Sequence, residues 1–191
     1  MRALAIAALA SGCVYASPSV GVVRASQTTD GTRWVPYLAA GAGLRSTSDA
    51  PVRCGGGAGF LLTGNSYGTA YGVGPEARCN LRVADAGVDR RWAVQARAML
   101  GWGWLTGSDT GATTARGRAV TGYAGVAYEM LSDGEFAAGA DHRPVAFDVA
   151  LGLTGARLDV GDDHYSWVGL GVEATLAFDL VYYLDQTGAS R

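Results

Sequence analysis

The chain has no lysine: all 15 of its basic residues are arginine, set against 17 acidic ones in 191 residues. A formal net charge of −2 leaves no field strong enough to argue for nucleic acid as a partner. Charged residues make up only 17% of the chain, and after the first dozen positions no apolar run approaches the ~20 residues a membrane helix needs. Cysteine occurs three times, with no Cys-x-x-Cys and no Cys/His cluster, which argues against structural zinc. The patterns His-Glu-x-x-His and the phosphate-binding P-loop are missing, and neither a catalytic residue nor a metal or cofactor is expected. Glycine is abundant, at 29, but lacks the triplet period of collagen, and a hydrophobic content of 49% excludes a disordered chain. The length suits one domain.

What is present begins with an address. Met1-Arg2 supplies a positive charge, Ala3 to Ala10 an apolar stretch, and Ser11-Gly12-Cys13 the small residues before a cut. These are the three parts of a secretory signal. Cys13 behind Ala-Ser-Gly resembles the lipobox of bacterial lipoproteins, although Ala10 stands where that motif usually has Leu. The resemblance implies a leader over 1–12, lipidation of Cys13 and a lipidated linker over 13–18. A competing cut after Val14-Tyr15-Ala16 would release Ser17 without lipid, and a buried helix with a core Cys13 is the bland alternative. With Cys13 acylated, Cys54 and Cys79 remain as an even pair on segments expected to be neighbouring strands. A disulfide between them is expected in an exported protein; two reduced buried thiols are the alternative.

Period two dominates the rest. From Trp167 to Tyr183, Val168, Leu170, Val172, Ala174, Leu176, Phe178, Leu180 and Tyr182 alternate with Gly169, Gly171, Glu173, Thr175, Ala177 and Asp179. Alternation of this length is strand, and long for a soluble one. Trp92 to Trp104, Val120 to Glu129 and Val145 to Thr154 repeat it. Fainter versions cover Trp34 to Arg45, Val52 to Thr63 and Gly68 to Val83, where Pro75 marks an expected bulge or break. Ser19 to Gln27 would pair with the segment from Trp34 through a turn at Asp30-Gly31. The barrel is expected over 19–184, with a tail over 185–191.

Alternation alone does not say which face meets which solvent. A soluble barrel turns its apolar side chains inward, a membrane barrel outward. The polar face here is mostly Gly, Ala and Thr with about one charge per strand, a poor surface for water. Small residues suit a narrow lumen and bulky ones the roomier outside. Trp34, Trp92, Trp102, Trp104, Trp167, Tyr182 and Tyr183 fall near strand ends, where membrane-interface aromatics sit. The expectation is an all-β, antiparallel up-and-down transmembrane barrel of about eight strands, apolar face outward, with both termini on the periplasmic side.

In this pattern the chain resembles the small eight-stranded outer-membrane barrels, including lipid-modified versions. The resemblance implies the outer membrane of a Gram-negative bacterium, with its lipids as partners. Two features depart from the family: Leu184 to Arg191 trail the last strand, and the connection Leu131 to His142 is long for a periplasmic turn.

Lumen charges must be paired to be tolerable. Arg78, Arg82 and Arg97 on earlier strands and Glu129, Asp148, Glu173 and Asp179 on later ones form the expected internal network, which plugs the lumen. His142 and His164 sit near Asp141 and Asp162-Asp163 in loops, where such clusters usually solvate a turn. Two functions follow. One is a non-enzymatic structural or interaction component of an envelope assembly, of adhesion or motility type, meeting protein partners through Thr106 to Ala115 and Asp159 to Tyr165. The other is a lipid-anchored, lipocalin-like soluble barrel carrying a hydrophobic ligand.

Overall fold

Where bulky apolar side chains fall on alternate positions among the described residues, the backbone of the computed structural model is extended. The structure describes residues 12–26, 32–46, 51–65, 68–107, 114–132 and 145–179. Eight strands run through them: β1 (Gly12–Ser26), β2 (Thr32–Ser46), β3 (Val52–Asn65), β4 (Gly68–Gly87), β5 (Arg90–Gly107), β6 (Thr114–Ser132), β7 (Val145–Val160) and β8 (Asp163–Asp179). Each pairs antiparallel with its neighbours in sequence, and β1 pairs with β8, closing an up-and-down barrel. Strands of 14 to 20 residues exceed the roughly 9 to 11 that cross a hydrocarbon layer. One end of the barrel carries the start of β1 and the end of β8, where Cys13 pairs with Asp179. The other carries the connections after β1, β3, β5 and β7 and is called the hairpin end.

The two faces are sharply unlike. Leu100, Leu151, Leu153 and Leu170 are each about 60% exposed on the outer wall, and Val20, Leu38, Phe60, Val73, Val168 and Leu176 share it. In water such a band would not stay monomeric; it is the outer surface of a membrane barrel. The expected orientation of the apolar face therefore holds. The lipocalin-like alternative required the Leu170 and Leu176 stripe inside, and both residues point out.

Three expectations need correction. Residues 13–18, read as a linker, form the first half of β1, because Cys13, Tyr15, Ser17 and Ser19 face in and Ala16, Pro18 and Val20 face out with the parity of the rest of that strand. Pro75 does not break β4: it lies opposite Ala58, and the β4–β5 register is the same on both sides of it. The register shifts fall later, between Arg82 and Ala84 and between Asp85 and Gly87. Finally, the interior is not lined by small residues alone, since Tyr15, Tyr37, Leu61, Leu158 and Trp167 all point inward and are buried. Residues 1–11, 180–191 (Tyr182 and Tyr183 among them) and His142 lie outside the described residues.

Candidate functional site: the filled lumen and the outer wall

Inward positions near the chain ends bring charges together across the axis. Glu129 on β6 accepts hydrogen bonds from Arg45 of β2 at 3.2 Å, from Arg91 of β5 at 2.5 Å and from Arg53 of β3. Arg45 also donates to Asp148 of β7 at 2.9 Å. A second layer lies nearer the middle of the barrel. There Arg78 donates to Glu173 at 2.6 Å and to Thr175 at 2.9 Å, and Gln95 donates to the same carboxylate. Arg97 stands 3.2 Å from Glu173 and 3.7 Å from Glu76, with its guanidinium 5.9 Å from the centre of the Tyr123 ring. Tyr15 donates to Glu76 at 3.0 Å, and Arg78 lies over its ring. Space for the Glu76 carboxylate comes from glycine: a Cβ on Gly59 would lie 2.8 Å from its Oε2, and one on Gly41 would also collide with it.

Among the described residues the buried cations are Arg45, Arg53, Arg78, Arg91 and Arg97, and the buried anions Glu76, Glu129, Asp148, Glu173 and Asp179. Five face five, so the buried charges of the described residues balance formally, as charge in a poorly hydrated space requires. Of the expected network, Arg78, Arg97, Glu129, Asp148 and Glu173 meet in these two layers. Asp179 is buried at the end of β8. Arg82 does not join them: it pairs with Asp85 three residues on, where both side chains are partly exposed and β4 has shifted its register. Arg45, Arg53, Arg91, Glu76, Gln95 and Tyr15 were missed. Parity would have found most of them, since Arg45 shares the face of Gly41 and Gly43, and Arg53 and Arg91 immediately precede outward Cys54 and Trp92.

Toward the hairpin end the interior becomes apolar. Val23, Val35, Tyr37, Leu61, Met99, Leu105, Leu158 and Trp167 form one buried cluster, and the Trp167 indole N–H donates to the Gly64 carbonyl at 3.3 Å. Trp167 is thus not an interface aromatic. It occupies an odd position of β8, on the face of Gly169 and Glu173, and fills the lumen.

The other described aromatics of that set do face out. Trp92 stacks edge-on with Tyr128 at 4.9 Å near the chain ends. Trp104 stacks with Tyr71 at 5.3 Å near the hairpin end, and Trp34 and Trp102 are exposed at that same end. Outward aromatics therefore lie toward both ends of the apolar band. Also on the outer wall, Cys54 and Cys79 are directly opposed on β3 and β4 and joined by a disulfide. Cys13 is buried against Tyr15 and Ala177 inside the barrel.

At the hairpin rim Asp159 lies 2.8 Å from His164 Nδ1 and accepts from Arg157 Nε at 2.7 Å. Ser166 sits opposite Arg157 in the β7–β8 ladder. Among the described residues no three His, Cys, Asp or Glu side chains gather as metal ligands would.

No protein-family model matches the chain, and no curated protein resembles it in sequence. Among solved structures it is similar to Neisserial surface protein A (NspA), with a TM-score of 0.50 and 14% identity over 84% of this chain and 95% of that one. It also matches Ail, the attachment invasion locus protein of Yersinia pestis, with a TM-score of 0.43 and 11% identity over 86% and 99%. The N-terminal β-barrel domain of Pseudomonas aeruginosa OprF matches with a TM-score of 0.37 and 12% identity over 83% and 96%. At these identities the likeness to NspA is one of fold.

Proposed function

We propose that this protein is a non-enzymatic integral β-barrel of the Gram-negative outer membrane, a structural or interaction component of an envelope assembly of adhesion or motility type. One observation carries the reading: bulky apolar side chains cover the outer wall between outward aromatics, while five arginines and five carboxylates are enclosed within. That arrangement is stable when lipid is outside and unstable when water is. The NspA-like fold supports the same architecture. A lumen crossed by ion pairs and closed by Trp167 and its neighbours favours a plug over a pore, consistent with the room eight strands leave for side chains. With both chain ends in the periplasm, the hairpin connections, including 106–115 and 159–165, face outward and meet protein partners.

Export through the leader over 1–12 belongs to the proposal. Lipidation of Cys13 belongs to it only for a β1 whose first residues have left the wall, because in the closed barrel that side chain is enclosed. The mass of the mature chain separates an acylated Cys13 from an unmodified start at Ser17. The decisive experiment is extraction. An integral barrel stays in the membrane fraction through carbonate and urea and migrates faster on a gel before boiling than after; release of folded protein by carbonate would overturn the reading.

A further inference from the structure

The outer wall carries a second, local feature on β5 to β8. Near the hairpin end Arg116 and Arg118 of β6 point outward, opposite Trp104 and Trp102 of β5. The Arg116 guanidinium stands 5.9 Å from the centres of both indoles. Trp102, Arg116, Arg118, Asp159 and Gly161 line a recess of about 440 Å³. Directly below, toward the middle of the wall, a groove of about 610 Å³ follows the β6–β7 seam. Val120, Ala124, Leu153 and Val168 flank it, and Arg157, which lies opposite Val120, stands at its upper end. Its floor is the facing pair Gly122 and Gly155, where missing side chains leave the backbone bare.

A recess with guanidiniums above an apolar groove has the shape and chemistry of an amphiphile. On the side of a membrane barrel, an arginine just beyond the apolar band meets headgroups, which carry phosphate. The planar guanidinium matches phosphate oxygens in pairs, and stacking on indoles pre-orders Arg116 for that contact. Acidic groups nearby among the described residues include Asp159, which lies opposite Arg118 in the β6–β7 ladder and is engaged by Arg157 and His164, and Asp162 in the exposed turn between β7 and β8.

We propose that this wall is a specific site for a lipid bearing a phosphate monoester in the surrounding leaflet. The phosphate sits between Arg116 and Arg118, and one acyl chain lies along the Gly122–Gly155 floor. The site rests on the membrane-spanning reading above.

The test uses the full chain folded in neutral detergent micelles, with native mass spectrometry counting retained ligand. Three probes are offered: phosphatidic acid with saturated chains, diacylglycerol with the same chains, and inorganic phosphate. One phosphatidic acid per barrel is expected, with much weaker retention of the other two. Arg116→Ser with Arg118→Ser should weaken phosphatidic acid binding by roughly tenfold to thirtyfold. Gly122→Leu fills the groove without a backbone clash, since its Cβ would have its nearest neighbour, the Arg97 carbonyl oxygen, 3.9 Å away. It should weaken binding by roughly tenfold with heat-modifiable migration intact. Arg24→Ala with Arg33→Ala, at the same end of the barrel on β1 and β2, should leave binding unchanged. Equal loss in that pair, equal retention of diacylglycerol, or inorganic phosphate bound as tightly as the lipid would each overturn the site. A barrel that resists carbonate yet retains no phosphatidic acid refutes the lipid site alone; one that carbonate releases refutes the membrane reading beneath it.

Discussion

The two halves of the lumen are filled by different physics. Toward the chain ends, Glu129 gathers Arg45, Arg53 and Arg91 from three other strands. Toward the hairpin end, Trp167 packs among Val23, Leu61, Leu105 and Leu158. An apolar cluster tolerates exchange of one greasy group for another of similar volume, because its cohesion is not directional. An ionic layer does not, since a charge deprived of its partner inside the barrel has nowhere to find water. The ionic half therefore constrains which inward side chains can share a level, and the apolar half supplies bulk that closes the passage.

Substitutions that unbalance either half test this contrast. The largest effect is expected for Glu129→Ala, which leaves three enclosed arginines short of an anion. A loss of about 3 to 5 kcal/mol or more is expected, read as loss of heat resistance of the folded band on a gel. Glu129→Gln should recover little, because the missing quantity is charge. Trp167→Ala opens a cavity and should cost about 3 to 5 kcal/mol at most, with Trp167→Phe recovering most of it. Near-complete rescue by Phe at Trp167 and poor rescue by Gln at Glu129 is the signature of the difference. Arg97→Ala falls between, since Arg97 shares Glu173 with Arg78 and Gln95. Reduction of the Cys54–Cys79 bridge, which lies outside both halves and closes a sequence separation of 25, should lower the unfolding free energy by about 2 to 4 kcal/mol, read as a lower midpoint in chemical denaturation. Arg82→Ala should be smallest, as Arg82 and its partner Asp85 are both partly exposed to solvent. Arg78→Ala, four residues earlier on the same strand but enclosed, should be several times worse. Equal effects of the two would refute the claim that the lumen and not the strand sets the cost.

Much of this was legible in residue order, though unevenly. Outward Leu170 and Leu176 and inward Glu173 follow from parity within β8, and the count of eight strands from repeating the exercise along the chain. Trp167 shows where another cue misled. Its place near a strand end suggested an interface, while its odd position already put it with Glu173 inside. Arg45, Arg53 and Arg91 escaped for the opposite reason. They sit at strand margins, where alternation fades into turns and a charge reads as a solvated loop residue.

Period two is a local property of an extended backbone, so the residues themselves carried the strands and their faces, and the small side chains of the polar face carried the inversion of apolar and polar sides. Partnership across the axis is not local: Arg45 and Glu129 are 84 positions apart, and nothing in either segment names the other. The closing register of β1 with β8 sets which inward side chains share a level. It thereby sorts one set of inward residues into two ionic layers and an apolar plug, because charges and bulky groups must each find complementary neighbours at their own height in a space with no water to spare.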